Sequence, residues 1–266
     1  MSVPHDTSRT RLGLPEPDSC RHDAVRMTIL ALGIFVLTAG GARAQSHMTM
    51  ENDNPYGLVL FDLLEAAPGL EGSPVQWDMR GTFGTQYNRF WLKSDGGLST
   101  GDSAGEMEFQ ALYSRLIAPF WEVQAGVRLD VGYAGGETQT RGQLVLGLEG
   151  LAPYWFELEP AVFVSQDGDV SASLTGTYEL FVTQRLLLQP RLDLAAAVQE
   201  VEAWGTGSGL NSVGFGLRLR YEIRREFAPY IGFQWERLTG GAAKLARRGG
   251  EDAGRLSLVA GVRLWR

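Results

Sequence analysis

The sequence predicts an all-β fold, an antiparallel up-and-down transmembrane β-barrel of twelve strands. Three observations point there: long stretches of strict apolar–polar alternation, connections that alternate between tight turns and long Gly-rich loops, and aromatic residues gathered beside the tight turns.

The alternation is clearest from Leu210 to Leu238. Val213, Phe215, Leu217, Leu219, Tyr221 and Ile223 are apolar, and Gly214, Gly216, Arg218, Arg220 and Glu222 lie between them. Arg224, Arg225 and Glu226 turn the chain, and Ile231, Phe233 and Trp235 then alternate with Tyr230, Gly232, Gln234 and Glu236. Period two marks a strand with one apolar and one polar face, and two such strands about a tight turn form a hairpin. Alternation alone also fits a water-soluble sandwich, so the other two observations must decide.

Strands are expected at Tyr56–Glu65, Val75–Phe83, Tyr87–Lys93, Glu106–Leu116, Phe120–Val131, Gly142–Leu151, Tyr154–Ser165, Asp169–Val182, Leu186–Val198, Asn211–Arg224, Phe227–Leu238 and Arg255–Trp265. The connections Gly84–Gln86, Ile117–Pro119, Ala152–Pro153, Thr183–Arg185 and Arg225–Glu226 are tight. Ser94–Gly105, Gly132–Arg141, Gln199–Leu210 and Thr239–Gly254 are long, and only Gln166–Gly168 breaks the rule. No amphipathic helix competes. Tyr113, Trp121, Tyr154, Trp155, Tyr221 and Phe227 sit beside the tight turns, as an interfacial girdle would. A closed barrel leaves no strand edge, which hydrocarbon requires because it cannot hydrogen-bond a backbone.

Ahead of the strands, the apolar run Ile29–Leu37 is too short to span a bilayer. Arg21 and Arg26 precede it and Ala42-Arg43-Ala44 follows, so residues 1–44 read as a secretory signal peptide cut before Gln45. The tail upstream of Met27 is atypical and leaves open a translation start nearer Met27. Cleavage removes Cys20, the single cysteine, and with it any disulfide or thiolate chemistry. Residues 45–55 form a short flexible tail, and residues 56–266 the barrel. The expected location is the outer membrane of a Gram-negative cell, with lipid as the surrounding partner.

Charge narrows function. A net charge of −7 offers no footprint for nucleic acid. Alternation places Asp78, Glu106, Glu108, Glu122, Asp130, Glu149, Glu157, Glu159, Glu179, Asp193, Glu222 and Glu236 inside. Arg80, Arg89, Lys93, Arg128, Arg191, Arg218, Arg220 and Arg263 face them. Two readings stay open: an ion-paired, nearly closed interior, and a cation path through Glu106, Glu108, Glu157 and Glu159. Embedded hydrolases use a histidine base, and His5, His22 and His47 all precede the strands, so no catalysis is expected. The softer metal ligands His47, Met48 and Met50 cluster in the tail, a set that suits copper. Met79 and Met107 fall on the apolar face.

Several stretches carry a more specific signal: Ala111–Trp121 (ALYSRLIAPFW), Gly150–Glu157 (GLAPYWFE), Thr183–Leu192 (TQRLLLQPRL), Gly207–Leu210 (GSGL), Gly216–Gly232 (GLRLRYEIRREFAPYIG) and Ala260–Trp265 (AGVRLW). With Trp91-Leu92-Lys93 and Gly250-Glu251-Asp252, they resemble the copper-resistance protein B family of bacterial outer membranes. The resemblance implies a barrel acting in copper tolerance beside a periplasmic multicopper oxidase of the copper-resistance A type. It also implies a long Met- and His-rich segment before the barrel, which here shrinks to His47, Met48 and Met50, and a histidine on the fifth strand where this chain has Leu129. The expected role is therefore binding or passing copper at the cell envelope. The alternative is a small general channel or structural barrel that has lost metal handling.

Overall fold

The computed structural model describes residues 54–67, 74–99, 104–250 and 252–266. The expected signal peptide and the ligands His47, Met48 and Met50 lie outside them. Within the described residues the strands are β1 (Tyr56–Ala66), β2 (Val75–Gly84), β3 (Asn88–Ser99), β4 (Ala104–Ala118), β5 (Trp121–Ala134), β6 (Glu137–Ala152) and β7 (Phe156–Ser165). They continue as β8 (Val170–Thr177), β9 (Leu180–Phe181), β10 (Leu186–Ala197), β11 (Gly209–Tyr221), β12 (Phe227–Leu238) and β13 (Gly254–Trp265). One helix, α1 (Gly240–Gly249), lies between β12 and β13.

Every neighbouring pair is antiparallel, β1 joins β13, and β10 joins β11, so the sheet closes on itself. β8 and β9 both pair with β10 and are one wall strand interrupted at Tyr178 and Glu179, which leaves a wall of twelve strands. The predicted barrel is therefore present, and all twelve expected strands are found.

Alternation sorts the faces as the sequence predicts. Val127, Leu129, Leu144, Leu146, Val162, Leu192 and Ile231 are exposed on the outside, whereas Glu122, Gln124, Asp130, Arg218 and Arg220 are buried within. In water this polarity would be backwards, since each exposed large apolar side chain forgoes about 1.5–3 kcal/mol of burial. In hydrocarbon it is the required arrangement.

The tight turns hold three aromatic residues in the left-handed region: Phe120 (φ 66°), Tyr154 (φ 69°) and Trp155 (φ 69°). Such residues cost on the order of 1 kcal/mol or more each. Tyr154 and Trp155 are 82% and 72% exposed, so the strained backbone presents their rings outward at one end of the wall, where an interfacial belt would bury them.

Three expectations change in detail. Ser94–Gly105 and Gly132–Arg141 are mostly strand rather than loop: β3 runs on to Ser99, and β5 continues to Ala134 before Gly135 and Gly136, both at positive φ, turn it into β6. The Thr239–Gly254 connection contains α1. Near Asp62 in β1 the register shifts against both β2 and β13, a bulge that reverses the alternation.

Candidate functional site

The lumen is built in rows, because residues directly opposite in an antiparallel ladder share a face. One inward row is apolar: Trp91, Leu112, Val145 and Phe163, aligned across β3, β4, β6 and β7 with Gly126 of β5 between Leu112 and Val145. A Cβ on Gly126 would run into the Ala111 carbonyl oxygen, so only glycine lets the strands approach there. Alternation assigns these four apolar side chains to the polar interior, and they form a hydrophobic cluster inside the barrel.

The next row toward the longer loops is basic: Arg80, Lys93, Gln110 and Arg128 are in register across β2 to β5. Beyond it lies an acidic row in register on the same four strands: Asp78, Asp95, Glu108 and Asp130. Like charges directly opposite destabilise a sheet. The basic row two residues away offsets this, with Arg80 on Asp78 at 3.2 Å and Arg128 on Glu108 at 2.8 Å and Asp130 at 2.5 Å.

Other ion pairs cross the hollow. Arg80 of β2 reaches Glu159 of β7 at 2.5 Å, and Arg191 of β10 reaches Asp78 of β2 at 3.2 Å. Lys93 of β3 bridges Glu149 of β6 at 2.8 Å and Glu159 at 3.0 Å. In a ring of twelve strands, β2 and β7 lie almost opposite, so the Arg80–Glu159 pair acts as a strut across the bore. Cation–π contacts lock the basic row onto the apolar one: Lys93 stands 5.5 Å from the Trp91 ring and Arg128 4.6 Å from the Phe163 ring. Above the struts a cavity of about 990 Å³, lined by Asp78, Asp95, Glu106, Glu108, Asp130 and Arg191 among others, extends toward the longer loops.

The four carboxylates singled out from sequence divide into two places. Glu106 and Glu108 lie on β4 beside the cavity, with Glu108 held by Arg128 and by Gln110. Glu157 and Glu159 lie on β7 and are joined by Glu149: one oxygen from each falls within 4.8 Å of the others. Thr177 Oγ1 donates to Glu157 at 3.3 Å, and the Lys93 ammonium sits between Glu149 and Glu159. An internal cation thus occupies the place a divalent ion would take. Met79 pairs with Phe61 and Ser94 on the outward face, and Met107 pairs with Gly96 and Val131, one residue out of phase with Glu106 and Glu108.

Sequence reasoning missed Asp62, Glu65, Asp95 and Arg141. The β1 bulge turns Asp62 and Glu65 inward together, where Asp62 meets Arg263 at 2.8 Å and Glu65 meets Arg218 at 2.8 Å. Asp95 and Arg141 lay in stretches expected to be loops. The signal that could have found Asp95 is the continuing alternation Lys93, Asp95, Gly97.

A family model described as copper resistance protein B precursor (CopB) matches residues 55–266. The chain belongs to the copper resistance protein B family. Within that family it is similar to the Escherichia coli copper resistance protein B, 40% identical over 221 residues that cover 83% of this chain and 73% of the relative. A homolog in Pseudomonas syringae pv. tomato is 38% identical, over 77% of this chain and 68% of that one. Solved structures that align include the KdgM porin (10% identity, TM-score 0.42, covering 78% of this chain and 98% of the porin). The NanC porin also aligns (12% identity, TM-score 0.47, 79% and 99%).

Proposed function

We propose that this member of the copper resistance protein B family sits in the outer membrane, delivered there by a cleaved signal peptide, and binds or passes copper ions at the cell envelope. The inverted polarity of the closed wall carries the membrane part of the reading, and family membership carries the link to copper. No catalytic step is assigned, and a periplasmic multicopper oxidase of the copper-resistance A type is the proposed partner.

Copper in this reading is cargo rather than a resident cofactor, and the donor sets divide its handling. Among the described residues the bore offers carboxylate oxygens and no imidazole or thiolate, a hard set suited to weak contact with a divalent ion. The softer set is His47, Met48 and Met50 in the tail, which suits tight capture, Cu(I) especially. The struts at Arg80, Lys93 and Arg191 favour binding and gated passage over free diffusion. A general channel would favour a continuous polar bore, and the row from Trp91 to Phe163 interrupts it.

Two measurements test this. Copper titration of the mature chain and of a version starting at Tyr56 should show binding that the shorter chain lacks; equal and negligible binding by both removes the capture role. Copper flux into proteoliposomes should fall when Glu106, Glu108, Glu157 and Glu159 are replaced by Gln, and an unchanged flux rules those carboxylates out as the path.

A further inference from the structure

The outer face of the barrel changes character at the rim between β11, β12 and α1. A groove of about 460 Å³ is lined there by Val213, Trp235, Ala243, Arg237, Lys244 and Arg247, together with the start of the helix. Val213 lies opposite Arg237, and Trp235 opposite Phe215 and Leu256, so the floor of the groove belongs to the outward, apolar side of the wall. Below it the skirt is strongly apolar: Leu256 and Leu258 are 66% and 72% exposed, and Phe215 packs on Phe233 with ring centroids 6.2 Å apart.

Above the skirt stand three cations. Arg237, Lys244 and Arg247 are exposed, and among the described residues no ion pair holds any of them. Glu236, one residue from Arg237, points to the other face and pairs with Arg255 at 3.8 Å. Helix geometry brings Ala243, Lys244 and Arg247 onto one face, three and four residues apart. Ala242 and Ala243 are buried, which fixes that face against the rim. Basic residues in a last turn also complement a helix dipole, which accounts for Arg247 and Arg248. It does not account for Lys244 or for Arg237, which is on a strand.

We propose that this groove binds the phosphorylated headgroup of an outer-leaflet lipid, with its acyl chains lying on the skirt of Val213, Trp235, Phe215, Leu256 and Leu258. The inference rests on the membrane reading above. Charge complementarity selects the occupant: three cations that no described residue pairs, standing over exposed hydrocarbon, match a lipid with phosphate at the interface and repel a metal cation. The groove lies at the end of the wall with the longer loops, which in such barrels faces the cell exterior. Guanidinium and ammonium groups together form charge-assisted bonds to phosphate oxygens.

The test uses the signal-cleaved chain in neutral detergent, followed by native mass spectrometry with added bis-phosphorylated lipid A, dephosphorylated lipid A, or inorganic phosphate. One lipid A should be retained per chain, and the R237Q/K244Q/R247Q variant and the dephosphorylated lipid should each bind about tenfold more weakly or worse. R248Q, whose side chain lies outside the groove, should bind as the parent does. Equal retention by the triple variant overturns the proposal, as does saturable binding of inorganic phosphate alone with no preference for the lipid. Flotation with phosphatidylcholine vesicles separates the two readings. A parent chain that fails to enter them refutes the membrane reading itself, whereas one that enters them yet shows no groove-dependent lipid binding refutes the groove alone.

Discussion

Removing the Arg218 guanidinium should destabilise the barrel far more than removing it together with its partner. Arg218 and Glu65 are the most deeply buried ion pair in the wall, with side chains 3% and 1% exposed. Glu65 accepts from Arg218 Nε at 3.0 Å, from Arg218 Nη2 at 2.8 Å and from Tyr230 Oη at 3.1 Å, and Arg218 Nη2 also donates to Gln234 at 3.0 Å. Arg218→Met takes two charge-assisted bonds from a carboxylate buried in the wall. At about 1.5–3 kcal/mol each, that is about 3–6 kcal/mol, in line with about 3–5 kcal/mol for breaking a buried pair. Glu65→Leu/Arg218→Met removes both charges and should lie within about 1 kcal/mol of the parent.

The location raises the stakes. The pair ties β1 to β11 across the seam where first and last strands meet, and that seam is the least regular: β1 and β13 share five register pairs against eleven for β12 and β13. Urea unfolding in vesicles, followed by tryptophan fluorescence for the parent, both singles and the double, measures the coupling. A value above about 2 kcal/mol is expected. Additive singles would refute the idea that burial of an unpaired charge, rather than loss of a favourable contact, sets the cost.

Two other perturbations probe the packing and the bore. Gly261→Ala would place a Cβ 2.6 Å from Tyr230 Oη and 2.5 Å from the Leu64 carbonyl oxygen, so it should lower the unfolding midpoint by about 1–3 kcal/mol of stability; no shift would mean that β1 gives way freely. Replacing Arg80, Lys93 and Arg191 by Ser removes both struts and the Lys93 bridge. It should raise cation conductance across a planar bilayer severalfold, and unchanged conductance would place the closure at the Trp91–Phe163 row instead.

How far the sequence discloses this molecule depends on whether period two survives locally. Where it does, as from Val213 to Tyr221, strand, register and facing all follow, because a slip of one residue would turn every guanidinium toward lipid. The β1 bulge breaks the period at Asp62, and the Glu65–Arg218 pair becomes invisible to alternation. Gly96 and Gly97 make the end of β3 look like loop, although a ladder to β4 needs no side chains there. Helix α1 hides for a related reason: Gly240, Gly241, Gly249 and Gly250 bracket a short helix-forming core, Ala-Ala-Lys-Leu-Ala-Arg-Arg, and glycine is a poor helix former. The inward apolar row was legible from the alternation Arg89, Trp91, Lys93, but an expectation of uniformly polar lining obscures it.

The layered charges bear on how a divalent ion could cross. At 4 Å and an effective dielectric constant of 20, a doubly charged ion is repelled by each fixed unit cation by about 8 kcal/mol. The row presents three such cations, Arg80 of β2, Lys93 of β3 and Arg128 of β5, with Gln110 of β4 between the last two. Of the carboxylates that could offset this, Asp78, Glu108, Glu149 and Glu159 already partner those cations, whereas among the described residues Asp95 and Glu157 are in no ion pair. Swinging Arg80 and Lys93 out of the bore would lower this barrier and free Glu149 and Glu159 to act as ligands in the same movement. A gate of this kind opens only when something supplies binding energy at one end. The acidic cavity is one place from which a bound cation could supply it, and a chain shortened to Tyr56 with unaltered flux would leave the cavity as the entry.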